Sequence, residues 1–228
     1  MRKAPETGRD LKKRAGDLLA SGDLDGLAAL PARKAASPLI GFLCSGDETI
    51  RWRAVEALGS ITAGLFRAEP EAARVIVRRL LWMLSDESGG MGWGAAEAMG
   101  EILAQDAGRL ACEFHRVLTS YLDPRGNLLD NPLLLRGAVW AAGRLAGARP
   151  DLAADAAPLL ADLLADPDPF LRGLAAWALS RLAPQAHREA LEALLADPSP
   201  LSLWENGALA PVTVAEMAAR ALAGIEKP

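Results

Sequence analysis

The segment WRAVEALGSI at residues 52–61 returns without gaps as WGAAEAMGEI at 93–102, RGAVWAAGRL at 136–145, GLAAWALSRL at 173–182 and EMAARALAGI at 216–225. A small residue near the end of each copy steps from Gly59 to Gly100, Gly143, Ser180 and Ala223, at spacings of 41, 43, 37 and 43 residues. Self-similarity at a period near 40 residues constrains the fold more than any local signal, because such a unit buries its apolar surface only by stacking on its neighbours. Ahead of each copy runs another helical stretch that closes on an acidic turn: PLIGFLCSGD, RRLLWMLSD, RVLTSYLD, PLLADLLADPDP and EALEALLADPSP. Aspartate favours a helix N-terminus and a following proline pre-sets the first turn, so each unit is expected to be helix, turn, helix. The first helix of each pair is Leu-rich all round and the second has an amphipathic pattern.

Composition points the same way. The chain is 51% hydrophobic, much of it Ala and Leu, while strand-favouring aromatics are scarce, with one Tyr and four Phe. The expected fold is all-α: an α-solenoid of about five helical hairpins over residues 34–228, continuous with a basic N-terminal segment and capping helices over 1–33. In residues 1–14, Arg2, Lys3, Arg9, Lys12, Lys13 and Arg14 outweigh Glu6 and Asp10, against a net charge of −4 for the whole chain. We take this as a solvated first helix, and the acidic remainder as a poor match to a nucleic-acid backbone or an anionic membrane. No apolar run approaches the roughly 20 residues needed to span a bilayer, and no signal peptide opens the chain. Cys44 and Cys112 are too few for a disulfide framework and are expected as packed, reduced thiols. Together these features lead us to expect a cytoplasmic monomer.

The five units resemble the short HEAT-like repeats also found in phycobilin lyases, where an Asp turn, an Arg four residues on and an Ala-x-x-Ala-Leu-Gly-x-Ile core recur. Asp47 with Arg51, and Asp168 with Arg172, match that pair, and the resemblance implies for them a structural ladder between units. Unit 2 departs from it with Gly92 at the Arg position, and unit 3 with Leu135 there and Arg136 one place later. The arrangement, including SGGMGWGAAEAMGEI, also resembles a group of uncharacterised bacterial HEAT-like proteins, which implies a fold and no activity. Residues 198–211, PSPLSLWENGALAP, lengthen the last turn and are expected either to cover the end of the core or to project as a binding loop.

A helical wheel places candidate binding residues. At 100° per residue from Ala54, the side chains of Ala57, Leu58 and Ile61 cluster within about 60°, whereas Trp52, Glu56 and Gly59 fall near 160°, 200° and 140°. In a stacked array the second helices line the concave surface, so this stripe is expected to face the groove. Its first position holds Trp52, Trp93, Arg136, Gly173 and Glu216, and its second Glu56, Glu97, Trp140, Trp177 and Arg220. Tryptophan and arginine bury large areas at partner interfaces. Trp52, Glu56, Trp93, Glu97, Arg136, Trp140, Trp177 and Arg220 are therefore the candidate partner-binding set, and the small residues beside them would let an incoming group reach helix backbone. The alternative is that the rings pack sideways onto adjacent units.

Sites for chemistry are scarce. Cys112, Glu113 and His115 point in different directions around one helix, so no metal or other cofactor is called for. Deoxyhypusine hydroxylases, HEAT-like di-iron enzymes, carry repeated His-Glu pairs that are missing from this chain. The glycines at 89–94 could offer amides to an anion, but without a preceding strand. Trp93, Glu97, Arg136 and Trp177 resemble the order of residues in HEAT-like alkylpurine DNA glycosylases, with Glu for the family's Asp. That resemblance implies base excision, with Glu97 supporting charge on the departing sugar. A cofactor-loading role like that of the bilin lyases is a further alternative. The leading expectation is a non-enzymatic scaffold or adaptor that binds a protein segment.

Overall fold

A computed structural model describes residues 6–85, 92–106, 108–182 and 184–225. Two helices open the chain, α1 (Gly8–Ser21) and α2 (Leu24–Ala28). Five helical pairs follow. They are α3 (Ala32–Phe42) with α4 (Glu48–Ala68), α5 (Pro70–Leu84) with α6 (Ala95–Asp106), and α7 (Arg109–Ser120) with α8 (Pro132–Ala148). In the fourth pair α9 (Pro150–Ala153) and α10 (Ala157–Asp162) together make the first arm, and α11 (Pro169–Leu179) the second; the fifth joins α12 (Arg188–Ala193) to α13 (Val214–Ile225). Successive second helices α4, α6, α8, α11 and α13 pack side by side in one layer, and the first arms form the other. The fold is an all-α solenoid.

Local chemistry sets where the second helices begin. Asp47, Asn131 and Asp168 each accept a hydrogen bond from a first-turn backbone N–H, of Ile50, Leu133 and Phe170 respectively. Pro132 and Pro169 occupy first helical positions, where the missing N–H costs nothing. At the cap, Thr7 and Asp10 form a reciprocal capping box and Gly22 closes α1 in the left-handed conformation. Arg53 of α4 donates to the carbonyls of Leu19 and Ala20, tying the end of α1 to the first unit.

Burial reverses one expectation about the pairs. The first helices are the amphipathic ones: α5 buries Ala73, Ile76, Val77, Leu80, Met83 and Leu84 and leaves Val75 and Trp82 in solvent. The second helices are the more enclosed, and α6 is buried at every position from Ala95 to Ala104. The inner second helices α6, α8 and α11 have a neighbour on both sides as well as their own first helix, so most of their circumference is covered. Cys44 and Cys112 are exposed rather than packed.

The small-residue stripe also has another role than access to backbone. A Cβ built on Gly100 would stand 2.5 Å from the Cα of Ala141 and 2.9 Å from its carbonyl oxygen, both backbone atoms of the next second helix. Gly143 lies in the same way against Trp177 and Ala178, and Gly59 against Glu101 and Gln105. Small side chains here set how closely adjacent second helices approach.

Between Asp197 and α13 the chain forms two antiparallel strands, β1 (Pro200–Glu205) and β2 (Ala208–Thr213), paired from Pro200↔Thr213 to Glu205↔Ala208. Asn206 and Gly207, with φ of 54° and 75°, form the two-residue loop, the positive-φ geometry that matches strand twist. The hairpin lies on the free side of the second-helix layer, and its tip reaches the first unit. Six strand residues span about 20 Å, while helices at 8–10 Å spacing would set the first and fifth units roughly 35 Å apart in a flat stack. That mismatch makes the second-helix face concave.

Two glycine substitutions separate packing from propensity. Gly64→Ala in α4, where the added Cβ would find only the tip of Arg67 at 3.9 Å, is expected to stabilise by about 0.5–1 kcal/mol. Gly100→Ala is expected to destabilise by about 1–3 kcal/mol, since the clash with backbone outweighs the same propensity gain. Thermal melts giving Tm shifts of opposite sign would bear this out; a raised Tm for Gly100→Ala would refute the close-approach account.

Candidate functional site

The concave face carries three of the four stripe tryptophans as one aromatic cluster completed by the hairpin. Trp204 of β1 stacks on Trp52 of the first unit, with ring centroids 5.8 Å apart and planes 3° from parallel. Trp52 meets Trp140 at 4.7 Å in a tilted pair, and Trp140 stacks on Trp177 at 6.2 Å. Three of the four indole N–H groups are matched, and the Trp52 Nε1–H is buried without a partner among the described residues. The Trp140 Nε1–H donates to the Trp204 carbonyl (3.1 Å), the Trp204 Nε1–H to Glu56 (3.0 Å) and the Trp177 Nε1–H to Glu205 (3.0 Å). Arg181 and Arg220 also pair with Glu205, at 2.7 and 3.3 Å.

The rings of different units pack on one another, and the chain's own hairpin covers them. Trp140, Trp177 and Trp204 are each 3% exposed, and Trp52 is buried. As they stand, Trp52, Glu56, Trp140 and Trp177 are engaged by one another and by the hairpin, while Arg220 pairs with Glu205 at an exposed edge. A wheel drawn for one helix carries no information about a covering segment some 150 residues away. The hairpin itself was legible in the sequence: Asn-Gly sits between apolar runs, the strongest short-range hairpin signal. With Leu201 packed on Gly173 and Leu203 buried, the insert neither caps the core's end nor projects.

Arg136 is a rung of the ladder at the edge of the apolar cavity. Its guanidinium makes a two-pronged pair with Asp168 (2.7 and 2.9 Å) and lies over the Phe170 ring at 4.3 Å. One unit further on, Arg172 pairs with Asp197 at 2.6 Å. Each arginine thus reaches the acidic turn of the following unit, so Asp168 and Arg172 belong to successive rungs. In the first unit Asp47 caps α4, and Arg51 pairs with Glu48 at 3.0 Å and lies over Trp52 at 5.6 Å. A parallel rung joins Arg144 of α8 to Glu101 of α6 at 2.7 Å.

Two cavities flank the aromatic cluster. One, about 360 Å³, is polar and lined by Glu56, Glu101, Arg144, Trp177, Arg181 and Glu205 among others. Burial raises the Glu56 carboxyl, with the Trp204 donor partly opposing it. Burial also works to raise Glu205, but the Trp177 and Arg181 donors hold it below the usual carboxylate range.

The other cavity, about 210 Å³, is mostly apolar, with Trp93, Gly94, Leu133, Leu134, Phe170 and Glu97 in its walls. Trp93 is 40% exposed and Leu133 50%. Gly94, at φ 72°, turns the chain into α6 with the Leu43 carbonyl 3.3 Å from where a Cβ would be, which only glycine tolerates. The rest of the glycine run, Gly89 and Gly90, lies outside the described residues. Glu97 is 8% exposed and burial holds its carboxyl above the usual range, with Arg51 opposing.

Trp93, Glu97 and Arg136 border this cavity, whereas Trp177 borders the polar one beneath Glu205. The four-residue constellation implied by the glycosylase resemblance is therefore not assembled in one open site. Among the described residues no helix is long and apolar enough to cross a membrane.

Residues 132–182, which contain α8 and α11, match the HEAT-like repeat family. A stretch of 66 residues is 44% identical to an uncharacterized protein of Archaeoglobus fulgidus, covering 29% of this chain and 33% of that protein. The chain thus spans about a third of the length of the curated relative it matches. The whole array of helical pairs superposes on a designed armadillo repeat protein with a TM-score of 0.59 at 22% identity, over 99% of this chain and 96% of the other. A second designed armadillo repeat protein, solved with a (KR)4 peptide, gives 0.56 at 20% identity over 96% and 91%. At these identities the likeness concerns the fold.

Two substitutions test the site's energetics. Trp204→Ala is expected to cost about 3–5 kcal/mol, the range for a buried Trp, read as a lowered denaturant midpoint. The second concerns Glu97. Because its folded pKa is raised, the folded state binds a proton that the unfolded chain has released, and stability falls as pH rises from the unfolded pKa through the folded value. Glu97→Gln removes that loss. Its Tm advantage over wild type is expected to widen between about pH 4 and pH 7; an advantage that shrinks over this window would contradict the burial account.

Proposed function

We propose that the protein is a non-enzymatic interaction module, a scaffold or adaptor, that acts as a monomer and holds a segment of a partner protein on its concave face. The observation that carries this reading is the open cleft beside the hairpin. Trp93, Leu133 and Phe170 border an apolar hollow while the other groove tryptophans are already covered. A large exposed ring at the rim of a concave, mostly apolar site is where binding energy concentrates in protein interfaces.

The hairpin supports the same reading from within the chain. It shows how this face holds an extended segment, through stacked rings and indole N–H groups that reach main-chain and carboxylate oxygens. The solved designed armadillo protein with its (KR)4 peptide gives a fold-level parallel for a peptide partner. A net charge of −4 suits a polypeptide better than a nucleic-acid backbone.

Crosslinking and affinity recovery from the native cell test this. A Trp93→Ala/Leu133→Ala double variant is expected to lose the recovered partner with its circular dichroism unchanged. Trp82→Ala, which removes a 61% exposed ring from the outer layer, is expected to retain it. Equal recovery with the double variant and wild type would sink the proposal.

A further inference from the structure

The charges around the open cleft do not balance. Glu48 and Arg51 pair with each other, and Arg136 is satisfied by Asp168. Glu97 forms no ion pair among the described residues, although it is more than nine-tenths buried and belongs to the cleft wall. Its position is fixed from the far side. A Cβ on Gly137 would stand 2.5 Å from Glu97 Oε2, and Gly137 lines the same cavity. The carboxyl is therefore lodged against α8 at Gly137, with Trp52, Trp93, Trp140 and Phe170 around the hollow.

An uncompensated carboxylate in such a site is costly unless an opposite charge reaches it. Aromatic faces around the hollow favour a cation with an apolar stem over a compact hydrated ion. The arginines over Trp52 and Phe170 are each paired with their own acid, and Arg51 offsets the burial of Glu97 only in part. We infer that the cleft receives one basic side chain of the partner segment, a lysine or arginine whose stem lies along Trp93 and Leu133 and whose charged head meets Glu97. The inference rests on the partner-segment reading and adds the chemistry of the residue that enters.

The test uses blocked single residues on the whole chain: the N-acetyl methylamides of lysine, arginine, norleucine and glutamate. Binding is followed by NMR shifts of the tryptophan indole N–H groups. Lysine and arginine amides are expected to bind roughly tenfold tighter than norleucine, which has the stem without the charge. In Glu97→Gln that preference is expected to vanish, and in wild type it is expected to weaken as pH falls and Glu97 protonates beside Arg51, Glu48, Arg136 and Asp168.

Norleucine binding as tightly as lysine, a preference for glutamate, or a lysine preference that survives Glu97→Gln would each overturn the inference. Partner recovery separates the two claims. If the Trp93→Ala/Leu133→Ala variant loses its partner while these probes show no charge preference, only the basic residue is wrong. If recovery is unaffected while the charge preference is present, the cation comes from a free small molecule and the partner reading fails.

Discussion

Adjacent second helices touch backbone to backbone at Gly100 and Ala141, and the rest of the molecule depends on that contact. Because the layer is this close, a ring projecting from one second helix meets the preceding unit's residues, as Trp177 meets Gly143, and Trp52 and Trp140, two units apart in the chain, become neighbours across a curved face. A larger residue at these positions would spread the helices. It would also break the run of tilted and stacked pairs from Trp177 through Trp140 to Trp52. The ladder of arginines to following acidic turns, Arg136 to Asp168 and Arg172 to Asp197, holds the same spacing at the helix N-terminal ends.

What the concave face offers a partner is decided by what the chain already places there. The hairpin accepts two indole N–H groups, donates its own to Glu56 and adds one stack, leaving the polar network of Glu56, Glu101, Arg144, Arg181 and Glu205 on one side and an apolar hollow on the other. The half-buried Glu56 and the buried Glu97 differ for that reason. Glu56 receives a proton donor from Trp204, while Glu97 faces the hollow and depends on Arg51 at longer range. A repeat fold thus acquires two unlike surfaces from one inserted segment.

The repeat architecture was legible because the period of small residues and the Asp turns both follow from local requirements: close helix approach and helix capping. The stripe containing Trp52, Glu56 and Trp140 was legible as the face away from each unit's own core. Its burial was not, since that depends on a hairpin from the fifth unit reaching the first. The same blindness to neighbours reversed the pattern within each pair. An Ala-rich second helix with scattered charges scans as amphipathic, yet α6 is enclosed, and its Glu97 and Glu101 are buried beside other helices rather than solvated. Arg136, placed among binding residues by its wheel angle, is held by Asp168 because the ladder reaches forward to the next unit's turn. Within-unit matching of Asp168 to Arg172 could not show that.

The contact between Trp204 and Glu56 spans 148 residues of chain, which gives this solenoid an unusual order of assembly. A stack of repeats with only neighbour contacts gains its structure unit by unit as it leaves the ribosome, N-terminal units first. Here the first four units are complete before the segment that covers their tryptophans has been made. For the interval in which residues up to about 200 are synthesised, at some 5–20 residues per second, Trp52, Trp140 and Trp177 lack the hairpin that buries them. The nascent chain therefore carries a bare aromatic groove for several seconds before it ties its own end to its beginning.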